Sequence, residues 1–141
     1  MKRSSGLIRF GVSLERELLS QFDSFVREKK FPTRSEAIRV LIKERLVRKE
    51  WVSGKEVAGA IILVYDHGRR EILNKITHVQ HEFHENVIST QHVHLDHDNC
   101  LEVVVVKGRP GDVDAIYKGL QSIKGMKHIS LNTGTTGRRI P

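Results

Sequence analysis

Four side chains in the second half of this chain have the types and spacing of a metal site. His92 and His94 stand two residues apart in VISTQHVHL. On a strand, residues two apart project from one face, so both imidazoles point the same way. Cys100 follows six residues after His94, past the turn Asp96-His97-Asp98-Asn99. A three-residue loop would pair Asp96 with Cys100 and put all three groups on one face. A four-residue loop would send Cys100 to the other face, so the register decides the chemistry. His81, on the helix predicted just upstream, can add a fourth ligand. Three imidazoles and one thiolate in a plane suit Ni(II) or Cu(II); the same donors arranged as a tetrahedron suit Zn(II). A single buried cysteine is more often a small hydrophobe. It is the conjunction of His-x-His-x₅-Cys with a histidine upstream that points to metal. His78, His81 and His84 recur every three residues beside Glu82 and Glu85, which reads as a solvated helix face or a secondary metal patch. His67, His97 and His128 read as surface residues. No paired carboxylates, phosphate-binding loop or Ser/His/Asp order stands out, and nothing marks an oxyanion site beside Cys100, so the chain does not read as an enzyme.

A second chemistry belongs to the N-terminal segment LIRFGVS, residues 7–13, in which Ile8, Phe10 and Val12 alternate with Arg9, Gly11 and Ser13. That is a short strand with one apolar face. A two-stranded ribbon fits the major groove of DNA and reads base edges with its exposed face. Here that face is Arg9, which can take guanine bidentately, Ser13, which can pair with several bases, and Gly11, which permits close approach. Charge agrees: residues 1–50 carry 13 Lys/Arg against 7 Asp/Glu, whereas residues 51–141 carry 11 against 10. The basic half is the candidate for polyanion contact.

The elements that must position these groups follow from periodicity. After the first strand, Ser13 is placed to cap a helix in which Leu14, Leu18, Leu19, Phe22, Phe25 and Val26 recur at helical spacing. Phe31-Pro32 ends that pattern. Thr33-Arg34-Ser35-Glu36 forms a capping box for a second helix with Ala37, Ile38, Leu41, Ile42 and Leu46 on one face. One short strand beside two amphipathic helices has no partner for its ladder and is unstable alone. A symmetric dimer pairs two strands and buries the helix faces. Residues 51–56, WVSGKE, read as a connector. Beyond it the pattern predicts a strand over 57–65, a helix over 69–84, a strand over 87–95, a buried strand over 100–107 with its four consecutive valines, a helix over 112–124 and a last strand over 126–131. The order βαββαβ is a split-βαβ, ferredoxin-like arrangement. The tail, residues 134–141, has the composition of a flexible end. The fold class is therefore α+β: a DNA-binding βαα domain at 1–50, a linker at 51–56, a ferredoxin-like domain at 57–133, and the tail.

The bulk properties exclude several classes. The longest apolar run, Val57 to Tyr65, is too short to span a bilayer. The N-terminus lacks a sustained apolar segment, so no signal peptide is read. With a single cysteine the chain has no internal disulfide, and a reducing cytoplasm is the expected compartment.

These residues resemble the nickel-responsive regulators along nearly the whole chain. The resemblance is carried by RFGVSL (9–14), RSEAIR (34–39), His81 at the end of THVQH (77–81), HVHLDHDNC (92–100) with LEVVVVKG (101–108), and KGMKH (124–128). It implies a dimeric ribbon-helix-helix domain whose strands enter the major groove of operator DNA, followed by an ACT-like domain that assembles a homotetramer, a dimer of dimers. It implies Ni(II) held by His92, His94 and Cys100 of one chain and His81 of another, and a protein that represses nickel uptake or related genes when nickel is plentiful. It also implies a second cation site using Glu36 and an acidic residue where this chain has Val40, so that only half of that site is kept. Gly11 stands where some relatives have a hydrogen-bonding residue, so their operator sequence does not carry over. The competing reading is a ribbon-helix-helix regulator that senses a small metabolite through its ACT-like domain. A metabolite site has no need of a thiolate beside imidazoles, which favours metal.

Overall fold

The computed structural model describes residues 6–141; the first five residues of the expected DNA-binding module lie outside the described part. By density of contacts the chain divides into two compact units, Met1–Ile42 and Lys43–Pro141.

In the first unit an extended arm, residues 6–15, leads into α1 (Arg16–Glu28), and α2 (Arg34–Ser53) begins after a tight turn. The expected strand is not formed in the single chain. Its residues are extended but have no ladder, because the ladder needs a second strand. Ser13 does not cap α1. The chain is still extended at Glu15, which precedes the first helical residue and makes no side-chain cap. The period-two alternation of Ile8, Phe10 and Val12 continues to Leu14, which is why the helix starts late. At the far end Lys30 adopts a left-handed φ of 56°. The Phe31 amide donates to the Val26 carbonyl and the Lys30 amide to that of Arg27, a Schellman closure. Phe31 then packs on Phe25, ring centroids 5.8 Å apart. Half of the expected capping box forms: the Glu36 amide donates to Thr33 Oγ1 at 3.1 Å, but the Glu36 carboxylate turns to Arg39. Arg34 binds Asp23 bidentately, both contacts 2.8 Å, and so ties the start of α2 to α1.

This unit fully buries only Ala37 among its described apolar residues. No residue of α1 is fully buried, while Ile8 and Phe10 are 84% and 72% exposed, with Leu7, Val12, Leu14 and Leu18 also exposed. Phe10, Val12, Leu14, Leu19, Phe22 and Ile38 line an open groove of about 700 Å³.

The second unit has a core. Its strands are β1 (Val57–Asp66), β2 (Val87–His94), β3 (Asn99–Gly108) and β4 (His128–Thr133), with α3 (Arg70–Glu82) between β1 and β2 and α4 (Pro110–Gln121) between β3 and β4. The sheet order is β2-β3-β1-β4, every pairing antiparallel. Each helix thus crosses over one intervening strand, the split-βαβ arrangement expected. One face of the sheet carries Val57, Ile61, Leu63, Tyr65, Cys100, Val104 and Val106, buried with Ile72 and Ile76 of α3 and Val113, Ile116 and Leu120 of α4. The opposite face presents Ile62, Val64, Leu101 and Val103, partly buried, with Val93 and Val105 exposed.

The connector and the tail differ from expectation. Trp51, Val52 and Ser53 are the last residues of α2 rather than linker; Gly54, at φ 74°, supplies the left-handed residue that stops it. The tail is tied down at 134 and 135. The Gly134 amide donates to the Ala58 carbonyl at 2.8 Å, Trp51 Nε1 donates to the Gly134 carbonyl at 2.8 Å, and Thr135 Oγ1 donates to the buried Glu50 carboxylate at 3.0 Å. Composition hid this because the anchors are backbone groups and one threonine.

Candidate metal centre and DNA-reading arm

The hairpin of β2 and β3 decides whether the sulfur and the imidazoles meet. His94 lies directly across from Cys100, and His92 across from Glu102. The expected partner of Cys100 was Asp96, two residues away. A shift of two preserves the face, since side chains alternate with period two, so His92, His94 and Cys100 do share one. A bulge between Val87 and Ser89 sets that parity. It lets Val87 pair with the buried Val106 and still turns the even-numbered histidines to the same side. Asp96 shapes the hairpin tip: its Oδ1 accepts from the Asp98 and Asn99 amides at 2.9 and 2.8 Å. The bonds from Asn99 and Asp98 hold its carboxyl down at about 2.

On the shared face Cys100 is 1% exposed, and its Sγ lies 3.9 Å from Nδ1 of His92. The residue that orders this corner is one the sequence reading passed over. Glu102 is as buried as Cys100. Its carboxylate accepts from Tyr65 Oη at 3.0 Å and from Gln80 Nε2 at 2.9 Å, and its Oε1 lies 3.2 Å from His92 Nε2. His92 Nδ1, the nitrogen that faces the sulfur, also lies 3.4 Å from Tyr65 Oη. A carboxylate behind a histidine whose other nitrogen faces a thiol is the outer-shell arrangement of metal sites. Tyr65 is held neutral: its burial first, then the Glu102 charge, push its phenol above the ordinary range. The signal for Glu102 was present in Cys100, Glu102, Val104 and Val106, alternate residues of one buried face.

The donor set fits a borderline divalent metal: two imidazoles and a thiol on one face. His81 is not brought to this corner. It sits exposed on α3, its ring 6.2 Å from that of His84. Among the described residues no group of three His, Cys, Asp or Glu side chains converges on one point in the single chain. His78 lies beside a shallow cleft between α3 and α4 with Lys75 and Val79. Arg9, Gly11 and Ser13 lie exposed on the extended arm, and Glu36 is engaged by Arg39.

An extended arm with period-two alternation before two helices, joined to a ferredoxin-like domain with an imidazole–thiol corner, defines a metal-responsive DNA-binding regulator. The comparisons narrow the class. Residues 58–133 match the family described as the NikR C terminal nickel binding domain, and residues 8–49 match the ribbon-helix-helix proteins of the copG family. A nickel-responsive regulator of Syntrophus aciditrophicus is 52% identical over 134 residues, covering 95% of this chain and 98% of that one. One of Pyrococcus furiosus is 47% identical over 136 residues, covering 96% and 99%. An uncharacterized protein of Thermotoga maritima shares the fold, with TM-score 0.51 at 14% identity, covering 56% of this chain and 98% of that one. The chain belongs to the nickel-responsive regulators, a family that joins a ribbon-helix-helix DNA-binding domain to a nickel-binding domain. It is a regulator of transcription and not an enzyme, and the matches fit metal sensing rather than metabolite sensing.

Proposed function

We propose that this protein represses nickel uptake or related genes from the cytoplasm, as a homotetramer that binds operator DNA when Ni(II) occupies a site made by His92, His94 and Cys100 of one chain and His81 of another. When bound, nickel supplies a fixed coordination point that two copies must share. The observation that carries the reading is the register of the hairpin, which sets His94 against Cys100 and His92 against Glu102. An exposed His81 on α3 supports a ligand given to a neighbouring copy. The helix-free sheet face with exposed Val93 and Val105 supports assembly through the ACT-like domain, and the exposed apolar arm supports a paired ribbon reading DNA with Arg9, Gly11 and Ser13. Among the described residues no helix is long and apolar enough to cross a membrane. The functional modules are then residues 1–50 and 57–133. A second cation site at Glu36 is not part of the proposal, since Arg39 occupies its carboxylate and the Val40 side chain has no oxygen to offer.

The test is nickel titration followed by absorption. Wild-type protein should give a thiolate-to-metal band with a square-planar spectrum, and Cys100→Ala should lose that band. Mixing His81→Ala with Cys100→Ala chains should restore some sites that neither variant has alone. An unchanged spectrum and affinity in Cys100→Ala would overturn the ligand assignment.

A further inference from the structure

One side chain outside the ligand set lies flat against it. His67 follows the end of β1, and its imidazole stacks on that of His94, ring centroids 4.7 Å apart and planes inclined by 28°. His67 is itself held at two points, both on the loop joining β2 to β3. Its Nε2 lies 2.7 Å from the His97 carbonyl oxygen and so carries the proton and donates. Its backbone amide donates to the Asp98 carbonyl at 3.1 Å. That loop is braced in turn by Asp96 on the Asp98 and Asn99 amides. His67 is therefore a ring fixed to a rigid tip. His92 has the Glu102 carboxylate to set its orientation, whereas His94, at the solvent side of the hairpin, has an aromatic face. Offset stacking restrains the rotation of a ring. It leaves the edge of that ring usable, because the in-plane lone pair of one nitrogen and the N–H of the other both point away from the stacked faces.

We propose that His67 is a positioning residue: through the stack it sets the ring of His94 in its metal-ready orientation before metal arrives, without itself ligating the metal. The proposal rests on His94 being a nickel ligand, so one arm of its test uses no metal. Full-length wild type, His67→Phe and His67→Ala are compared. In the metal-free proteins, the ring-proton chemical shifts of His94 read the stack directly. The aromatic ring-current contribution is kept in His67→Phe and lost in His67→Ala. With nickel alone as the probe, His67→Ala should bind roughly 10-fold more weakly, the order of loss when a ligand histidine loses its orienting partner. His67→Phe, which keeps the flat ring and loses only the bond to His97, should recover most of that affinity. Unchanged His94 shifts in metal-free His67→Ala overturn the proposal, as does wild-type nickel affinity in that variant. Equal losses in the Phe and Ala variants overturn it too, by assigning the effect to the His97 bond. A wild-type protein without a thiolate-to-nickel band overturns the ligand reading itself. That failure is told apart because the metal-free shifts still respond to His67→Ala.

Discussion

At the scale of the residue, the buried carboxylate is the most informative group in the molecule. Glu102 accepts from two donors, and a candidate ligand, His92, lies against it at 3.2 Å. Glu102→Gln replaces an acceptor oxygen by an NH₂ that faces donors already in place. We expect nickel affinity to fall on the order of 10- to 100-fold and stability of the metal-free protein to fall by about 1–3 kcal/mol for a donor left unsatisfied, read by titration and by urea denaturation. A Gln variant that bound nickel normally would show that the Glu102 charge beside His92 does not tune the site. The legibility of the site is uneven for a physical reason. Imidazoles and a thiol stand out by residue type, so spacing marked His92, His94 and Cys100 as candidate ligands. A glutamate is ordinarily a solvent residue, and Glu102 becomes exceptional only through the face it lies on. That face could be read from the valines two and four residues beyond it.

At the scale of the element, the sequence showed where helices and strands exist better than how they end. Closure of α1 depends on Lys30, whose left-handed backbone costs a residue with a Cβ about 1 kcal/mol relative to glycine. Lys30→Gly should stabilise the protein by roughly that amount, measured by chemical denaturation; a destabilised variant would mean the Lys30 side chain contributes more than its backbone strain removes. The tie between α1 and α2 makes a pH-dependent contribution. Arg34 lowers the pKa of Asp23 below 3.8, chiefly through its hydrogen bond. A depressed carboxyl adds stability that is complete above its unfolded pKa and disappears as pH falls through the folded one. The difference in Tm between wild type and Asp23→Asn should therefore be constant from neutral pH down to about 5 and shrink as pH drops below 3.8. Its size should be small and reduced by salt, since the pair is exposed. A gap that persists in strong acid would assign it to packing. The arm, residues 7–13, shows what a single chain can and cannot display. Its alternation was legible, but the hydrogen bonds that turn alternation into a strand require a second strand beside it. The bulge of β2 was hidden because nothing in VISTQ marks an extra residue.

At the scale of the whole molecule, the two units differ in self-sufficiency. The second has a closed core; the first has its large apolar residues outside. The proposed assembly through the open sheet face should be breakable in isolation. Val93→Lys with Val105→Lys should lower the association state seen by sedimentation while the β-sheet signal in circular dichroism is kept, because both positions are already exposed. An unchanged association state would assign assembly to another surface. The apolar arm has a consequence for the protein before it assembles. A newly made chain carries Leu7, Ile8, Phe10 and Val12 in the open, the features that chaperones and proteases recognise in incompletely folded protein. Whatever binds and covers them removes the chain from that triage by mass action. Chain lifetime then depends on chain abundance: surplus or orphaned copies are cleared first. A half-length variant that can pair with the arm but cannot sense metal would be protected by the wild type and would poison it, a dominant-negative behaviour written into an unpaired strand.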